Sequence, residues 1–159
     1  MSTANRNRFR ADLREYQFQL FEQGKLGDLL NKEPFAAWGA DEVKMVLEQT
    51  KQFSYDVLGP LNGVGDQQGC RIEDGRLKTP EGFGDAWKQM YELGLKTVGF
   101  HSEFGGQDGP SMLQVVVEEM LSGANVAFNM YSGLAFGAAE LLAVFGTPEQ
   151  KKLYPERMT

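Results

Sequence analysis

The sequence predicts an all-α fold, a helical bundle of roughly six or seven helices with no convincing sheet. Three observations point to it. Apolar residues recur at helical spacing in several segments of the chain. Helix-starting and helix-stopping residues separate those segments. The 159 residues, 42% of them hydrophobic, also suffice for one domain with a real core.

Composition excludes several classes of site. The net charge of −6 argues mildly against nonspecific binding of nucleic acid or of an anionic membrane, although a local basic patch stays compatible with it. With one cysteine, Cys70, and one histidine, His101, the sequence offers no disulfide framework and no Cys/His metal site. Cytoplasmic localisation is the default expectation.

No targeting or membrane segment is predicted. Residues 1–8 carry positive charge, but no apolar stretch follows them as it does in a secretory signal. The stretch closest to a membrane span, residues 126–145, contains Asn129, Ser132 and Glu140. We therefore expect no membrane span.

The first part of the chain reads as an arm. Residues 10–23 are the first helical candidate, with Leu13, Tyr16, Leu20 and Phe21 on one stripe, and Gly24 ends it. Residues 26–30 add about one helical turn, and Pro34 disfavours helix before it. We therefore expect a helical arm over residues 1–35 and a main helical domain over residues 36–159.

The main domain begins with the clearest periodic helix, residues 41–58, which we expect Gly59 and Pro60 to stop. Residues 61–80 are predicted as a covered loop, with a short hairpin turned by Asp74 and Gly75 as the alternative. Thr79 and Pro80 then carry the signals of a helix start. The helix they begin should bury the face listed here and end at Gly94: Phe83, Trp87, Met90 and Tyr91.

Residues 95–109, which include two adjacent glycines, are predicted as a loop. Pro110 and Ser111 then start a helix, which we expect to break at Ser122–Gly123. The final apolar run, residues 124–145, predicts a central helix that Gly146 ends. Thr147 and Gln150 then form a capping box for one more helix.

The faces of the final long helix separate when it is projected at about 100° per residue. Asn129, Ser132, Phe136 and Glu140 share one stripe. Apolar residues and glycines lie beside it, namely Val126, Met130, Gly133 and Gly137, and Leu134, Leu141 and Phe145 continue that arc. Each glycine costs roughly 1 kcal/mol in a helix interior. We therefore expect another helix or a ligand chain to approach closely there.

Candidate catalytic residues are few, and the residues alone indicate no reaction. His101 lies in a loop without a recognisable nucleophile, and Cys70 reads as an inert thiol. Glu118 and Glu119 point about 100° apart on a helix, so we predict surface carboxylates rather than a catalytic pair. Glu140 is better explained as a solvated or hydrogen-bonded edge than as a base.

An ordered set of motifs resembles the N-terminal helical domain of acyl-CoA dehydrogenases. The set comprises Glu103-Phe104-Gly105-Gly106, the Pro110 helix, Ser122-Gly123-Ala124-Asn125, the long apolar helix, and the segment from Phe145-Gly146-Thr147-Pro148-Glu149-Gln150 to Lys151-Lys152-Leu153-Tyr154. Upstream, residues 16–22, 60–62, 65–70 and 78–83 resemble the branch with a long N-terminal arm. That branch includes long-chain and 3-methylthiopropanoyl-CoA dehydrogenases.

The resemblance implies an enzyme that oxidises acyl-CoA with FAD and passes electrons to an electron-transfer flavoprotein or another acceptor, as a homo-oligomer. It implies that the sequence stops near the start of the family's barrel domain, before the flavin-binding segments and the catalytic glutamate, so this chain alone should be inactive. It also places Met130, Gly133, Leu134 and Gly137 on one wall of the acyl pocket. Two alternatives stay open: an acyl-CoA oxidase or non-dehydrogenase member, and a noncatalytic helical interaction module.

Overall fold

The computed structural model describes residues 7–158 and shows a helical bundle with one small hairpin. Its α-helices are α1 Leu13–Gln17, α2 Ala40–Phe53, α3 Gly59–Gln68, α4 Phe83–Glu92, α5 Ser111–Phe145, α6 Pro148–Leu153 and α7 Pro155–Met158. This confirms the all-α fold class. The first six residues, on which the expectation of no secretory signal largely depends, and Thr159 lie outside the described part.

The predicted arm helix starts at Leu13 rather than at residue 10, because Asp12 caps it by accepting a hydrogen bond from the Arg14 amide (2.9 Å). It continues as the π-helical turn Phe18–Gln23. Leu20, Leu26 and Leu30 are buried in the same core as the main domain. The division of the chain at residue 35 stays a prediction.

Helix α2 buries Val43, Val46, Leu47 and Phe53 at helical spacing and passes directly into the π-helical turn Ser54–Leu58. The expectation that Gly59 and Pro60 stop the helix was wrong. Gly59 keeps a right-handed helical conformation and donates its amide to the Ser54 carbonyl, and α3 follows without a gap. Pro60 is tolerated because it lies in the first turn of α3, where a missing N–H costs little.

A hairpin replaces the covered loop that we expected before residue 80, so that expectation was wrong and the alternative was right. Strands β1 Arg71–Glu73 and β2 Arg76–Lys78 pair antiparallel, with Ile72 opposite Leu77. Asp74 and Gly75 both have positive φ (51° and 71°), as a tight hairpin turn requires. The side chains of Ile72 and Leu77 therefore lie on one face of the hairpin.

Helix α4 begins after Gly82 rather than at the Thr79–Pro80 signal, so the predicted start was wrong. The chain first makes a turn in which the Phe83 amide donates to the Pro80 carbonyl (3.2 Å), and Gly82 takes a positive φ of 82°. The predicted end is confirmed, since Gly94 has a φ of 68°. Phe83 and Met90 are buried as expected.

Helix α5 continues through Ser122 and Gly123, where we expected a break, and is kinked at Asn125 instead (φ −158°, ψ 89°). The Asn125 Oδ1 accepts a hydrogen bond from the Phe128 amide (3.0 Å), which is how an N-cap side chain starts a helix. Its Nδ2 donates to the Leu58 carbonyl (3.4 Å), so the kink is tied to the rest of the bundle. By length and composition alone, with a mean hydropathy of 1.3 in its most apolar window, α5 could span a bilayer.

The end of α5 packs on a second, smaller core. Phe100 and Phe104, from the loop before α5, are buried against Ala139 and Ala143. Gly146 ends α5, and the predicted capping box is confirmed: the Thr147 amide donates to Gln150 Oε1 (2.9 Å), and Thr147 Oγ1 accepts from the Gln150 amide (3.3 Å). The loop and α7 thus hold one side of α5 and leave another side open.

Candidate functional site

A cluster of polar side chains holds the two halves of α5 in a fixed orientation. The Lys96 side chain, only 3% exposed, places Nζ 2.5 Å from Glu118 Oε1 and 3.4 Å from Asn129 Oδ1. Asn129 Nδ2 donates to Glu118 Oε2 and to Ser122 Oγ, both at 2.8 Å. Gln114 Nε2 also donates to Glu118 Oε1 (2.9 Å). Glu118 therefore joins the two halves of α5 across the kink to the loop after α4.

The prediction that Glu118 is a surface carboxylate was wrong, because its side chain is only 31% exposed and fully engaged in this cluster. Glu119 is exposed, as expected, and accepts a hydrogen bond from Tyr16 Oη (3.0 Å). The pKa of Tyr91 is raised, mainly because the side chain is partly buried and also because the negative charge of Glu118 lies nearby. Sequence reasoning also missed Lys96, since a lysine within an irregular loop gives no periodic signal of burial.

The predicted polar stripe on the second half of α5 faces inward. Asn129 and Ser132 are buried, and Ser132 Oγ donates to the Asn129 carbonyl (3.1 Å). Phe136 is half-buried against Phe100, with the ring centroids 5.5 Å apart. Glu140 is half-buried. This stripe faces the bundle, and the neighbouring side of the same helix, about 100° around its axis, faces outward.

That outward side is an apolar face with no covering element among residues 7–158. Met130 is 65% exposed and Leu134 82% exposed. A Cβ added at Gly133 or Gly137 would meet nothing within 4 Å. The face, which we call the open face, consists of Val126, Met130, Gly133, Leu134, Gly137, Leu141 and Phe145.

The open face contains all four residues predicted to line an acyl pocket: Met130, Gly133, Leu134 and Gly137. The structure brings them together, but within residues 7–158 nothing approaches the two glycines. Their role in an acyl pocket stays a prediction. The expectation of a central helix over residues 124–145 holds for its inward side, where Phe128, Asn129 and Ser132 are buried, and not for the open face.

Beside the open face lies an apolar pocket of about 310 Å³ that sequence reasoning did not find. We call it the aromatic pocket; its lining residues are Leu77, Thr79, Phe83, Gly84, Trp87, Phe128 and Tyr131. Strand β2, α4 and α5 each supply part of it. Leu77 was expected in a covered loop, with the hairpin only as the alternative, so the favoured prediction did not bring it to α4 and α5.

The two other predicted candidates for chemistry lie apart from each other. His101 is exposed in the loop before α5, with its ring 5.8 Å from that of Phe100. Cys70 is exposed, and its Sγ lies 3.2 Å from Tyr131 Oη. This hydrogen bond and partial burial raise the pKa of Tyr131.

Comparison with known proteins gives a family. Residues 40–159 match the model of the acyl-CoA dehydrogenase N-terminal domain. The chain is 25% identical over 150 residues to 3-methylmercaptopropionyl-CoA dehydrogenase of Ruegeria pomeroyi, an alignment covering 94% of this chain and 26% of that protein. It is 26% identical over 150 residues to butyryl-CoA dehydrogenase of Syntrophomonas wolfei, covering 92% of this chain and 24% of that protein.

The chain thus spans about a quarter of the length of these curated relatives. The matched region contains α2 to α6, the open face and the aromatic pocket. The kinked helix α5 and the capping box of α6 are structural counterparts of motifs on which the resemblance was based. The chain belongs to the acyl-CoA dehydrogenase family and contains its N-terminal domain.

Proposed function

We propose that this chain is the N-terminal part of a flavin-dependent acyl-CoA dehydrogenase and that its open face is one wall of the acyl pocket. The single observation that carries the proposal is the open face itself. Its Met130 and Leu134 side chains are exposed, and the space above the backbone of Gly133 and Gly137 is open. A wall of this kind accepts an alkyl chain, because apolar atoms gain by leaving water and bare helix backbone lets the chain approach.

In this proposal the residues of the chain bind and orient the acyl chain and exclude water from it. Burial of each methylene stabilises the complex by about 0.8 kcal/mol. The polar cluster around Glu118 acts as a support, because it holds the second half of α5 in one orientation. The α,β-dehydrogenation itself requires a base and an electron acceptor that we assign to other parts of the protein.

The proposed cofactor of the whole protein is FAD, which accepts the hydride when bound. The open face offers a flavin no hydrogen-bonding side chain, since it consists of apolar residues and glycine. We therefore derive no step through the flavin from these residues. Transfer to an electron-transfer flavoprotein or another acceptor, a cytoplasmic location and assembly into a homo-oligomer belong to the same proposal.

Flavin reduction tests the proposal. In the full-length protein that contains this chain, we expect a flavin absorbance spectrum that bleaches under anaerobic conditions when acyl-CoA is added. Rapid reoxidation by O₂ with turnover would identify an oxidase instead. Protein that lacks flavin and holds a tightly bound protein partner would contradict the proposal and favour an interaction module, whose partner would cover the open face.

A further inference from the structure

We infer that the aromatic pocket receives the far end of the acyl chain and selects acyl groups that end in an aromatic ring. The inference rests on the proposed function, because it assigns the substrate class of the same site. It uses three observations: the chemistry of the pocket lining, its size, and its position next to the open face.

The lining favours an uncharged, flat group. None of the seven lining residues is charged, and four of them are aromatic: Phe83, Trp87, Phe128 and Tyr131. A carboxylate, a phosphate or the polar part of coenzyme A would be desolvated there without a charged partner, which is unfavourable. An apolar chain end would not. The pocket therefore fits the end of the acyl group that lies farthest from the thioester.

The aromatic rings are arranged to accept another ring. Phe83 meets Phe128 at a centroid distance of 5.4 Å and an interplanar angle of 75°, and Trp87 meets Phe128 at 6.1 Å and 65°. Tyr131 meets Phe83 and Trp87 with both centroid distances at 6.4 Å. These are edge-to-face pairs, and a ligand ring between such walls gains the same geometry. A saturated chain end would gain only from burial.

The size agrees with a ring followed by a short linker. The pocket volume of about 310 Å³ is roughly twice that of the 150 Å³ apolar cavity that holds one benzene molecule in another protein. Space is left at Gly84, where an added Cβ would meet nothing within 4 Å. A phenyl group with part of its alkyl chain can therefore enter without displacing a side chain.

The pocket continues the open face. Tyr131 lines the pocket and lies three residues before Leu134, so the two side chains are neighbours on the helix surface. The distance along the helix from Gly137 to Tyr131, six residues, is about 9 Å. A chain that runs along the Leu134 edge of the open face thus reaches the pocket at its end. Leu77 of β2 closes the far side.

The test compares two substrates of the full-length enzyme, hexanoyl-CoA and 6-phenylhexanoyl-CoA, which differ only in the terminal ring. We expect kcat/KM for the phenyl substrate to exceed that for hexanoyl-CoA by about tenfold or more. Gly84→Leu fills the pocket and should lower this ratio by about tenfold. Gly84→Ala adds a single methyl group at the same position and should lower the ratio much less.

A second variant, Leu77→Ala, removes the far wall from an exposed strand and should also lower the ratio. It keeps the test decisive if Gly84→Leu fails to fold. Equal kcat/KM for the two substrates, or a ratio that neither substitution changes, would overturn the inference while turnover of hexanoyl-CoA still upheld the proposed function. If neither substrate reduces a flavin, the proposed function fails, and the inference with it.

Discussion

Replacement of Glu118 by alanine is expected to destabilise the region around the α5 kink by about 3 kcal/mol. The substitution leaves the Lys96 ammonium in a position where only 3% of the side chain is exposed, with Asn129 Oδ1 at 3.4 Å as its remaining partner. Removing one partner of a buried ion pair is costly because the other charge stays without compensation. Gln114 and Asn129 each lose a hydrogen-bond acceptor as well.

Hydrogen exchange measures this effect in the full-length protein. Amides in residues 94–101 and 111–129 should exchange roughly 100-fold faster in Glu118→Ala, since each 1.4 kcal/mol is a factor of ten. Glu119→Ala is the matched control, because Glu119 is exposed on the same helix and its loss should cost less than about 1 kcal/mol. Adding Lys96→Met to Glu118→Ala should restore part of the protection; no restoration would refute the unpaired lysine as the cause.

Gly133→Leu is expected to lower kcat/KM for long acyl-CoA substrates by about 100-fold. An added Cβ meets no described atom within 4 Å, so the new side chain has room to project from the open face into the proposed pocket. A leucine side chain has four carbons and displaces about as many methylenes, at roughly 0.8 kcal/mol each. The total of about 3 kcal/mol corresponds to two factors of ten. Steady-state kinetics over a series of acyl chain lengths measures the effect.

Two measurements distinguish a blocked acyl pocket from misfolding or loss of flavin in Gly133→Leu. Flavin content should stay at the level of the unmodified protein, because the open face has no polar contact to give a flavin. Gly133→Ala adds one methyl group, favours the helix, and should reduce kcat/KM for the longest substrates only a few fold. Loss of flavin or of assembly in Gly133→Leu, with chain-length preference unchanged, would instead show that the open face packs against protein.

Elements with a regular apolar period could be predicted from the sequence. Helix α2 buries Val43, Val46 and Leu47 as its spacing requires, and the capping box at Thr147 forms as written. Local signals of this kind depend on a few neighbouring residues, so they survive in the folded chain.

Elements decided by distant contacts could not be predicted. Helix α5 is kinked at Asn125 and not at Gly123. The Asn125 side-chain amide donates a hydrogen bond to the carbonyl of Leu58, which lies 67 residues earlier in the chain. Gly59 and Pro60 read locally as a stop, yet α3 continues the helix because packing of Leu58 and Phe53 in the core fixes the chain there. Tertiary contacts thus overrode the usual meaning of Gly and Pro.

The candidate site divides in the same way. The helical period alone placed Met130, Gly133 and Gly137 on one face, and the structure has them there. The period could not tell whether that face is covered, since exposure depends on the rest of the bundle. The aromatic pocket needs the hairpin to bring Leu77 to Trp87, a relation between segments that no single stretch of sequence contains.

The central claim is that the open face of α5 contacts the acyl chain, and a structure of the full-length protein with a bound long-chain acyl-CoA tests it most directly. We expect acyl carbons within about 4.5 Å of Met130, Gly133, Leu134 and Gly137, the distance that defines apolar contact. An acyl chain bound elsewhere, with the open face covered by another part of the protein or by a second subunit, would contradict the account.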